Sequence, residues 1–508
     1  MSNQTILIID FGGQYKELIA RRVRECGVYS IIKPNTITVD EIRSINPIGI
    51  IFTGGPDSVY KPGAPTCQPE ILNLGIPILG ICYGMQLICH LLKGKVIPCE
   101  KSEYGVVMCC LDQSSELFSG LDRNQPVLMS HSDMVEKLPD GFHPIAQTPH
   151  CSIAAFENPS KQIYGLQFHP EVENTTNGKQ ILRNFLYVIC KAIGDYSVED
   201  YLQCQINNVR ERIGKKRVLL GLSGGVDSSV CAALLSKAIQ NQLICIYIDH
   251  GFMRKGETDE IRTAFRKRNL NVFYIDAKER FMERIKGITD PEAKRKLIGD
   301  EFARAFEDEA RKHGYPEFLA QGTIYPDIVE SGKNKSATIK SHHNVGGLPE
   351  DLKFQGIIEP LSGLFKDEVR KLGLLLGLPR KLVFRQPFPG PGLAIRIIGK
   401  VTEEKLSMLR EADFILRQEI ESSRCKVDQY FAVLTDTKSV GVMGDGRTYE
   451  YTLAVRAVRT NDFMTCEFAK LPFSLLSRIS SRITNEVKGI NRVVYDITGK
   501  PPATIEWE

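Results

Sequence analysis

Two glycine-rich turns constrain the fold of this chain more than any other feature of its sequence. The first, residues 80–84 (GICYG), follows the apolar run 76–81, and the second, residues 221–229 (GLSGGVDSS), follows the apolar run 217–221. Each turn precedes a helical pattern. A tight turn from the carboxyl end of a strand into a helix is typical of mostly parallel α/β sheets. Each turn lies in its own series of such units, so the sequence predicts two α/β domains.

The pattern of apolar runs and breakers predicts three domains. The chain has 508 residues, which is too long for a single hydrophobic core. The first α/β pattern covers 1–193 and the second covers 194–383. A segment dense in proline and glycine, 385–393, marks a boundary. Beyond it, 384–508 mixes two helical patterns with three strand candidates. We therefore predict two doubly wound, mostly parallel-sheet domains followed by a small α+β domain.

The composition is typical of a soluble globular protein. The chain has 42% hydrophobic and 25% charged residues and a net charge of +4, so nothing indicates a nucleic-acid or membrane surface. Its fourteen cysteines include no C-x-x-C pair, which argues against a zinc site or a disulfide framework. Free thiols favour a reducing compartment. There is no signal-peptide pattern and no apolar run long enough to span a bilayer. We expect a cytoplasmic protein.

Cys82 lies in the middle of the first turn, where a nucleophile would project above the sheet. The helix N-terminus favours the thiolate. A lone cysteine is more often a buried core residue, but residues 167–171 (QFHPE) place His169 and Glu171 two apart. In an extended chain such residues share a face. Glu171 can therefore orient His169, and His169 can act as the base for Cys82. We predict a Cys82–His169–Glu171 catalytic triad.

These motifs resemble the class I glutamine amidotransferases over residues 5 to about 190. The resemblance implies that Cys82 attacks the amide of glutamine, that ammonia leaves, and that a thioester is hydrolysed. It also implies that Gly54 and Gly55, in the segment 53–56 (TGGP), form the oxyanion loop. The N–H group of Tyr83 would be a second oxyanion donor, and Gln86 would contact the substrate glutamine.

The second turn has the features of a phosphate-binding loop. Adjacent glycines before a helix provide a nest of N–H groups, and serine hydroxyls add donors. There is no lysine of the Walker A kind. The carboxylate of Asp227 would repel bare phosphate, which argues for Mg²⁺ between them. A Ser-Gly-Gly turn alone is common in loops; the full string is more specific. The predicted ATP-binding residues are Ser223, Gly224, Gly225, Val226, Asp227, Ser228 and Ser229.

This string resembles the PP-loop of the ATP pyrophosphatases. The resemblance implies that the loop binds the β,γ-pyrophosphate of ATP and that cleavage between the α and β phosphates gives an adenylated intermediate. Asp249 ends the next predicted strand, where groups that meet the nucleotide are usually found. An ammonia source joined to an adenylating domain indicates a glutamine-dependent amide or amidine ligase.

Further strings resemble the GMP synthetase family over nearly the whole chain, at 321–330, 339–347, 365–367, 387–392, 441–447 and 499–508. The resemblance implies a homodimer that aminates xanthosine monophosphate (XMP) with glutamine, ATP and Mg²⁺. The residues it assigns to XMP are Arg254, Arg492, Lys500 and Glu506. The residues it assigns to a lid over the adenylation site are Asp327, Glu330, Lys340, His342 and His343. Lys340 and Lys366 are candidates to stabilise charge in the adenylation step.

Alternatives remain open at this point. His342 and His343 could be a metal pair, although adjacent residues point apart on a strand. The 499–508 tail could be a disordered end. Another amidotransferase with a PP-loop, such as an NAD or asparagine-type synthetase, or an idle sensor of glutamine or nucleotide, would share several motifs. Gly13, His250 and Gln386 stand where the family more often has Ser, Asn and His.

Overall fold

The computed structural model describes residues 3–266, 270–330, 354–443, 446–460 and 465–508. They form two compact units, Met1–Tyr201 and Leu202–Glu508. Among the described residues, none of the helices combines the length and the apolar character that crossing a bilayer requires.

Unit 1 is built on one nine-stranded sheet in the order β2-β1-β3-β4-β9-β8-β7-β5-β6. Its strands are β1 (Thr5–Asp10), β2 (Tyr29–Pro34), β3 (Gly49–Phe52), β4 (Ile78–Ile81), β5 (Lys95–Leu111), β6 (Asn124–Lys137), β7 (His143–Gln147), β8 (Ala155–Asn158) and β9 (Ile163–Leu166). Its helices are α1 (Lys16–Glu25), α2 (Val39–Ile45), α3 (Tyr83–Leu91) and α4 (Gly178–Arg183), and α5 (Val198–Ile213) contains the boundary with unit 2.

The sheet of unit 1 has two halves with different burial. In one half, β2, β1, β3, β4 and β9 pair in parallel with their neighbours. Strands β3, β4 and β9 are buried throughout, as in a sheet covered on both faces. In the other half, β9, β8, β7, β5 and β6 pair antiparallel in that order. Buried and more exposed residues alternate along most of β6, so one face of this half is open to solvent. The parallel series was predicted; the antiparallel extension was not.

Unit 2 contains a five-stranded sheet and a four-stranded sheet. The first has the order β12-β11-β10-β13-β14 and is parallel. Its strands are β10 (Val218–Gly221), β11 (Leu243–Asp249), β12 (Asn271–Asp276), β13 (Phe318–Ala320) and β14 (Gly356–Ile358). Its helices are α6 (Val226–Ile239), α7 (Glu257–Arg266), α8 (Lys278–Arg284), α9 (Pro291–Lys312), α10 (Tyr325–Glu330), α11 (Lys366–Leu375) and α12 (Arg380–Val383).

The four-stranded sheet belongs to the C-terminal part of unit 2, where strands and helices mix as the sequence predicts. In chain order the elements are α13 (Glu403–Ser423), β15 (Gln429–Met443), β16 (Gly446–Arg459), β17 (Glu467–Phe468), α14 (Phe473–Glu486) and β18 (Ile490–Asp496). β15 pairs antiparallel with β16, and β18 pairs with β16 in parallel. One hydrophobic core runs from Leu219 in the first sheet to Ile490 in the second. The boundary near residue 384 therefore stays a prediction.

A buried charge pair fixes the chain's tail inside unit 2. Lys294, on α9, is fully buried, and its ammonium donates to the carbonyl of Ile397 at 2.8 Å. It also pairs with the carboxylate of Glu508 at 2.5 Å. Arg295 donates to the main-chain oxygen of Glu508. The tail is thus ordered by contacts with α9, which disfavours the disordered alternative.

Candidate active sites

Cys82 sits at a strained turn between β4 and α3, as predicted. Its φ of 53° and ψ of −109° lie outside the regions that non-glycine residues usually adopt. A Cβ at Gly80 would lie 2.6 Å from the nitrogen of Met85, and one at Gly84 would lie 2.5 Å from the oxygen of Phe52. Both flanking positions therefore require glycine, as in a nucleophile elbow.

His169 and Glu171 form a buried pair beside this turn. Nδ1 of His169 lies 2.7 Å from Oε1 of Glu171, and Thr175 fixes the segment by donating to the carbonyl of His169 at 2.6 Å. Burial opposes the charge on the imidazole, but the Glu171 carboxylate and a hydrogen bond with Cys82 outweigh it. The pKa of His169 therefore lies well above its ordinary value. A base held in this way suits a cysteine nucleophile.

The predicted oxyanion loop lies next to both reactive groups. A Cβ at Gly54 would lie 3.5 Å from Cε1 of His169 and 3.9 Å from Cβ of Cys82. A Cβ at Gly55 would lie 2.9 Å from the ring of Tyr83. The bare backbone at these positions leaves room between His169 and Cys82. A Cβ at Gly13 would lie 2.4 Å from the carbonyl oxygen of Gly54, so the residue at position 13 packs directly on this loop.

Gln86 points into the protein in this structure. It is buried, and its amide nitrogen donates to the carbonyl of Asp133 at 2.9 Å and to Oε1 of Gln167 at 3.1 Å. Gln167 in turn lies 3.7 Å from the sulfur of Cys82. Gln86 is thus linked to the nucleophile through Gln167. The predicted contact of Gln86 with the substrate glutamine stays a prediction.

A second buried network lies behind the nucleophile, and sequence reasoning missed it. Glu103 accepts from the hydroxyl of Thr148 at 2.9 Å and faces Nε2 of His131 at 3.3 Å. Nδ1 of His131 lies 3.0 Å from the carbonyl of Asp133, the carbonyl that Gln86 also contacts. Burial lowers the pKa of His131 despite the nearby carboxylate. The network therefore connects Glu103 to Gln86.

No local signal in the sequence marks this network, because His131, on β6, and Thr148, just after β7, lie 28 and 45 residues from Glu103. Ligand atoms of Glu103, His131 and Cys151 lie within 4.8 Å of one another. Within that group, the side chains of Glu103 and His131 already have protein partners, because Glu103 is bonded to His131 and Thr148. Burial raises the pKa of Cys151 to about 12, so its thiol is protonated at neutral pH.

The phosphate loop in unit 2 lies between β10 and α6, at the strand-to-helix turn that the sequence predicts. Gly224 has a φ of +75°, and Gly225 is the N-cap of the 14-residue helix α6, which begins at Val226. The hydroxyl of Ser223 accepts from the N–H of Gly225 at 3.2 Å. Ser228 lies 3.0 Å from the Ser223 hydroxyl, and Ser229 donates to the Gly225 carbonyl at 2.7 Å. The loop thus presents backbone donors at a helix N-terminus, an arrangement suited to phosphate.

The structure brings Lys366 together with Asp227. The ammonium of Lys366, at the start of α11, donates to both carboxylate oxygens of Asp227 at 2.8 and 2.6 Å. The two side chains are 40% and 30% exposed, so a cation could reach the carboxylate from solvent. A carboxylate is a hard oxygen donor of the kind that Mg²⁺ prefers.

Asp249 is held at the carboxyl end of β11, next to the loop's strand. Its two carboxylate oxygens accept from the N–H of Gly251 at 3.0 Å and from the hydroxyl of Thr258 at 3.1 Å. Lys278 lies 3.6 Å away. The next residue, His250, is buried among Phe252, Phe281 and Phe302. Burial lowers the pKa of His250 to about 4.

Arg254 is a buried cation with spare donors. Its Nε and Nη2 make no hydrogen bond within the described residues. Its guanidinium lies 4.3 Å from the ring centre of Phe388 and 3.7 Å from Asp413. Burial lowers the pKa of Arg254 to about 10, so it is still charged at neutral pH. A planar cation with free donors is suited to an anionic ligand.

Glu506 is oriented by a residue that sequence reasoning did not identify. The guanidinium of Arg396, which is fully buried, makes a bidentate pair with Glu506 at 2.7 and 3.0 Å. Gln429 donates to the same carboxylate at 3.2 Å. Arg254 and Arg396 lie over the same ring, that of Phe388. The structure thus brings Arg254 and Glu506 into one buried cluster.

The other two predicted XMP residues, Arg492 and Lys500, lie on β18 and in the segment that follows it. Nε of Arg492, on β18, donates to the hydroxyl of Ser439 at 3.0 Å. The main chain of Lys500 pairs with that of Cys466 in both directions. Gln386, one of the three unusual positions, accepts from the N–H of Tyr430 at 2.8 Å.

The predicted lid is described only in part. A carboxylate oxygen of Asp327 accepts from the N–H of Ile324 at 3.0 Å at the start of α10. Glu330 is the last residue of α10, and its side chain is outside the described set. Lys340, His342 and His343 lie outside the described residues.

The fold and the two sites define the class of protein: a class I glutamine amidotransferase joined to a unit with a lysine-free phosphate loop. Three family models match the chain. They are described as glutamine amidotransferase class-I over 7–189, NAD synthase over 198–310 and GMP synthase C terminal domain over 418–507.

Relatives that match over their full length identify the family more narrowly than the three family models do. A protein of Acetivibrio thermocellus is 57% identical over 511 residues and covers 100% of both chains. One of Ruminiclostridium cellulolyticum is 55% identical with the same coverage. One of Treponema denticola is 57% identical and covers 99% of this chain and 97% of its own. Each is named GMP synthase (glutamine-hydrolyzing). The chain belongs to the glutamine-hydrolysing GMP synthase family.

Proposed function

We propose that this protein makes GMP from XMP, ATP and glutamine. ATP is cleaved to AMP and pyrophosphate, and glutamine is hydrolysed to glutamate. The full-length relatives support this reaction. The observation that carries the proposal is the presence of both sites in one chain, with the Cys82 elbow beside a 2.7 Å histidine–glutamate pair in unit 1 and the phosphate loop in unit 2.

In unit 1, Cys82 attacks the carboxamide of glutamine. His169, oriented by Glu171, takes the thiol proton and delivers a proton to the departing ammonia. The loop at Gly54 and Gly55, with the N–H of Tyr83, stabilises the oxyanion. Water then hydrolyses the thioester to Cys82, with His169 again as base.

In unit 2, the phosphate loop holds the pyrophosphate part of ATP through backbone N–H groups and the hydroxyls of Ser223, Ser228 and Ser229. The 2-oxygen of XMP attacks the α-phosphorus, pyrophosphate leaves, and ammonia then displaces AMP at C2. Asp227 would hold Mg²⁺. When bound, Mg²⁺ would neutralise charge on the pyrophosphate. Lys366 supplies a second positive charge beside the same carboxylate.

Four residues are proposed to bind XMP: Arg254, Arg492, Lys500 and Glu506. Cationic side chains suit the 5′-phosphate, and a carboxylate can accept from a purine N–H. The buried, incompletely bonded guanidinium of Arg254 supports its part in this site. Asp327, Glu330, Lys340, His342 and His343 are proposed to cover the adenylation site as a lid.

We propose three functional domains, 1–193, 194–383 and 384–508, and a homodimer formed through the third. Val440, Val442 and Tyr449 on β15 and β16 are 54%, 74% and 66% exposed, and apolar side chains exposed in this way often mark an interface. Sedimentation of the wild type against Val442→Asp tests the dimer. All fourteen cysteines are free, which supports a reducing compartment such as the cytoplasm.

The decisive experiment is to incubate the protein with XMP, ATP, Mg²⁺ and glutamine and to identify the nucleotides by chromatography. GMP that forms in step with AMP, and not ADP, is the expected result. Glutamine hydrolysis without GMP would indicate a different acceptor for unit 2. Binding of glutamine and ATP without any turnover would indicate a sensor.

A further inference from the structure

A mostly buried arginine outside the predicted sites contacts the phosphate loop. Arg385 follows α12, and its guanidinium donates to the carbonyl of Gly224 and pairs with the carboxylate of Glu257. The two side chains are 16% and 4% exposed. A contact between a charged donor and a carbonyl is stronger than one between neutral groups, above all where water is excluded.

Glu257, the partner of Arg385, is also hydrogen-bonded to the main chain of Arg254. Its carboxylate accepts from the N–H of Arg254 at 3.1 Å, and its own N–H donates to the carbonyl of Arg254 at 3.2 Å. Glu257 therefore fixes the main chain of the residue proposed to bind XMP. A single carboxylate thus joins Arg254 to Arg385.

Gly224 has little freedom between these neighbours. A Cβ at Gly224 would lie 2.4 Å from Cδ1 of Ile261 on α7 and 3.7 Å from Nη1 of Arg385. With its carbonyl bound to Arg385, the peptide plane that follows Gly224 is fixed in orientation. The N–H of Gly225 is part of that plane and donates to the hydroxyl of Ser223, so Arg385 fixes the orientation of a peptide group within the phosphate loop.

We propose that Arg385 and Glu257 are positioning residues that couple the phosphate loop to the XMP site, so that binding of XMP at Arg254 improves the binding of ATP at the loop. The inference rests on the proposed function, because it takes Gly224 as part of the ATP site and Arg254 as part of the XMP site. Neither Arg385 nor Glu257 is placed in contact with substrate.

A purely structural ion pair is the competing explanation. Burial lowers the pKa of Arg385 to about 10, so its guanidinium is charged at neutral pH, and breaking a buried pair is costly in itself. The chain offers a matched control between the same two segments. Lys381, on α12, lies 3.6 Å from Glu260 of α7, and these side chains are 79% and 60% exposed. Nothing in this second pair reaches the phosphate loop.

The test uses the full chain with ammonium in place of glutamine. We measure the affinity for α,β-methylene-ATP with and without XMP, and kcat and KM for both substrates. The variants are Arg385→Met, Arg385→Lys, Glu257→Gln and the double variant Arg385→Met/Glu257→Gln, with Lys381→Met and Glu260→Gln as controls. Glutamine hydrolysis and the fluorescence of the single tryptophan, Trp507, report whether each variant is folded.

We expect Arg385→Met to lower kcat/KM for ATP by about 100-fold, as misplaced binding groups commonly do, and to remove the effect of XMP on ATP affinity. Arg385→Lys should restore part of that effect. The double variant should be no worse than Arg385→Met, since both residues act in one chain of contacts. The controls should stay within about twofold of the wild type.

Three outcomes would overturn the inference. They are an Arg385→Met variant that behaves like Lys381→Met, a loss of activity with the XMP effect on ATP affinity intact, and a wild type in which XMP has no effect on ATP affinity. If the wild type made GMP in any of these cases, the proposed function would stand and only the coupling would fall. If the wild type bound no XMP, both the proposed function and the proposed coupling would be wrong.

Discussion

The two candidate sites differ in how completely the protein satisfies its own polar groups. In unit 1, His169 is bonded to Glu171 at 2.7 Å, and Gln86 and Gln167 are bonded to each other; one acceptor, Oε2 of Glu171, makes no hydrogen bond within the described residues. In unit 2, several buried donors make no hydrogen bond within the described residues. They are Nε and Nη2 of Arg254, Nη1 of Arg396, Nη2 of Arg417 and Nε2 of Gln386.

The difference follows from what each site must do. A covalent nucleophile works when its base and the group that orients the base are already in contact. A site for anionic nucleotides must instead keep donors free for the ligand. Each unsatisfied buried donor costs about 1–3 kcal/mol, which a phosphate or a purine would offset on binding. The glutaminase site therefore has its base and the orienting group already in contact, whereas the nucleotide site has buried donors that only a ligand would bond.

The largest expected effect comes from Cys82→Ala. Glutamine-driven GMP synthesis should fall by at least about 10³-fold, because the nucleophile is lost. Synthesis driven by ammonium should stay within about twofold, because unit 2 keeps its own groups. Parallel assays with the two nitrogen sources check this. Cys89→Ala, a buried cysteine on the same helix, is the control. Glutamine-driven activity that survived Cys82→Ala would contradict the triad.

Asp227→Ala should abolish synthesis from both nitrogen sources, by about 100-fold or more, because the carboxylate beside the phosphate loop is lost. The uptake of Mg²⁺ with ATP should weaken as well, and titration of Mg²⁺ in the presence of ATP measures it. Asp259→Asn, an exposed position on α7, is the matched control. Equal losses in the two variants would show that charge alone, rather than position, explains the effect.

Glu103→Gln tests whether the buried network at Glu103 supports the glutaminase site of unit 1. The change keeps the shape but removes the charge that faces His131, so Asp133, Gln86 and Gln167 lose a fixed neighbour behind Cys82. We expect glutaminase kcat to fall by about tenfold with ammonium-driven synthesis unchanged. Glu136→Gln is the control, because the pair of Glu136 with Lys95 joins the same two strands at 2.6 Å but is exposed. A smaller effect than that of the control would contradict the role of the network.

The smallest effect at neutral pH is expected from His250→Asn, and it concerns stability. The pKa of His250 is depressed from 6.5 to about 4 by burial. Neutral His250 is therefore compatible with the fold above about pH 6.5, and stability is lost as the pH falls from there towards 4. Between pH 7 and pH 5 the wild type should lose about 2 kcal/mol from this group.

His250→Asn should remove that part of the loss. Urea unfolding followed by Trp507 fluorescence at the two pH values measures it, and His313→Asn, a less buried histidine of the same unit, is the control. An unchanged pH dependence in His250→Asn would show that other groups set the acid sensitivity of unit 2.

The sequence predicted the groups that lie close together in short motifs. His169 and Glu171 are two residues apart, and the elbow around Cys82 has a defined strand-turn-helix pattern. Partners far apart in sequence were not predicted. Lys366 meets Asp227 across 139 residues, and Arg396 meets Glu506 across 110. Such contacts depend on how sheets and helices pack, which local patterns do not encode.

The same limit applies to the sheet of unit 1. The alternation along β6 is typical of an antiparallel strand with one open face, but it does not indicate which strand β6 pairs with. The buried network at Glu103 lies in this unpredicted half. Residues assigned by resemblance at Lys340, His342 and His343 stay predictions.

The pairing of Lys294 with Glu508 has a consequence for how the protein is made. The two residues are 214 positions apart, so a ribosome completes α9 long before it adds the partner of its buried ammonium. Until then Lys294 must stay in water, because an unpaired charge is too costly to bury. The core around Lys294 can therefore close only after Glu508 has been synthesised, and a chain truncated before Glu508 would keep α9 open to chaperones and proteases.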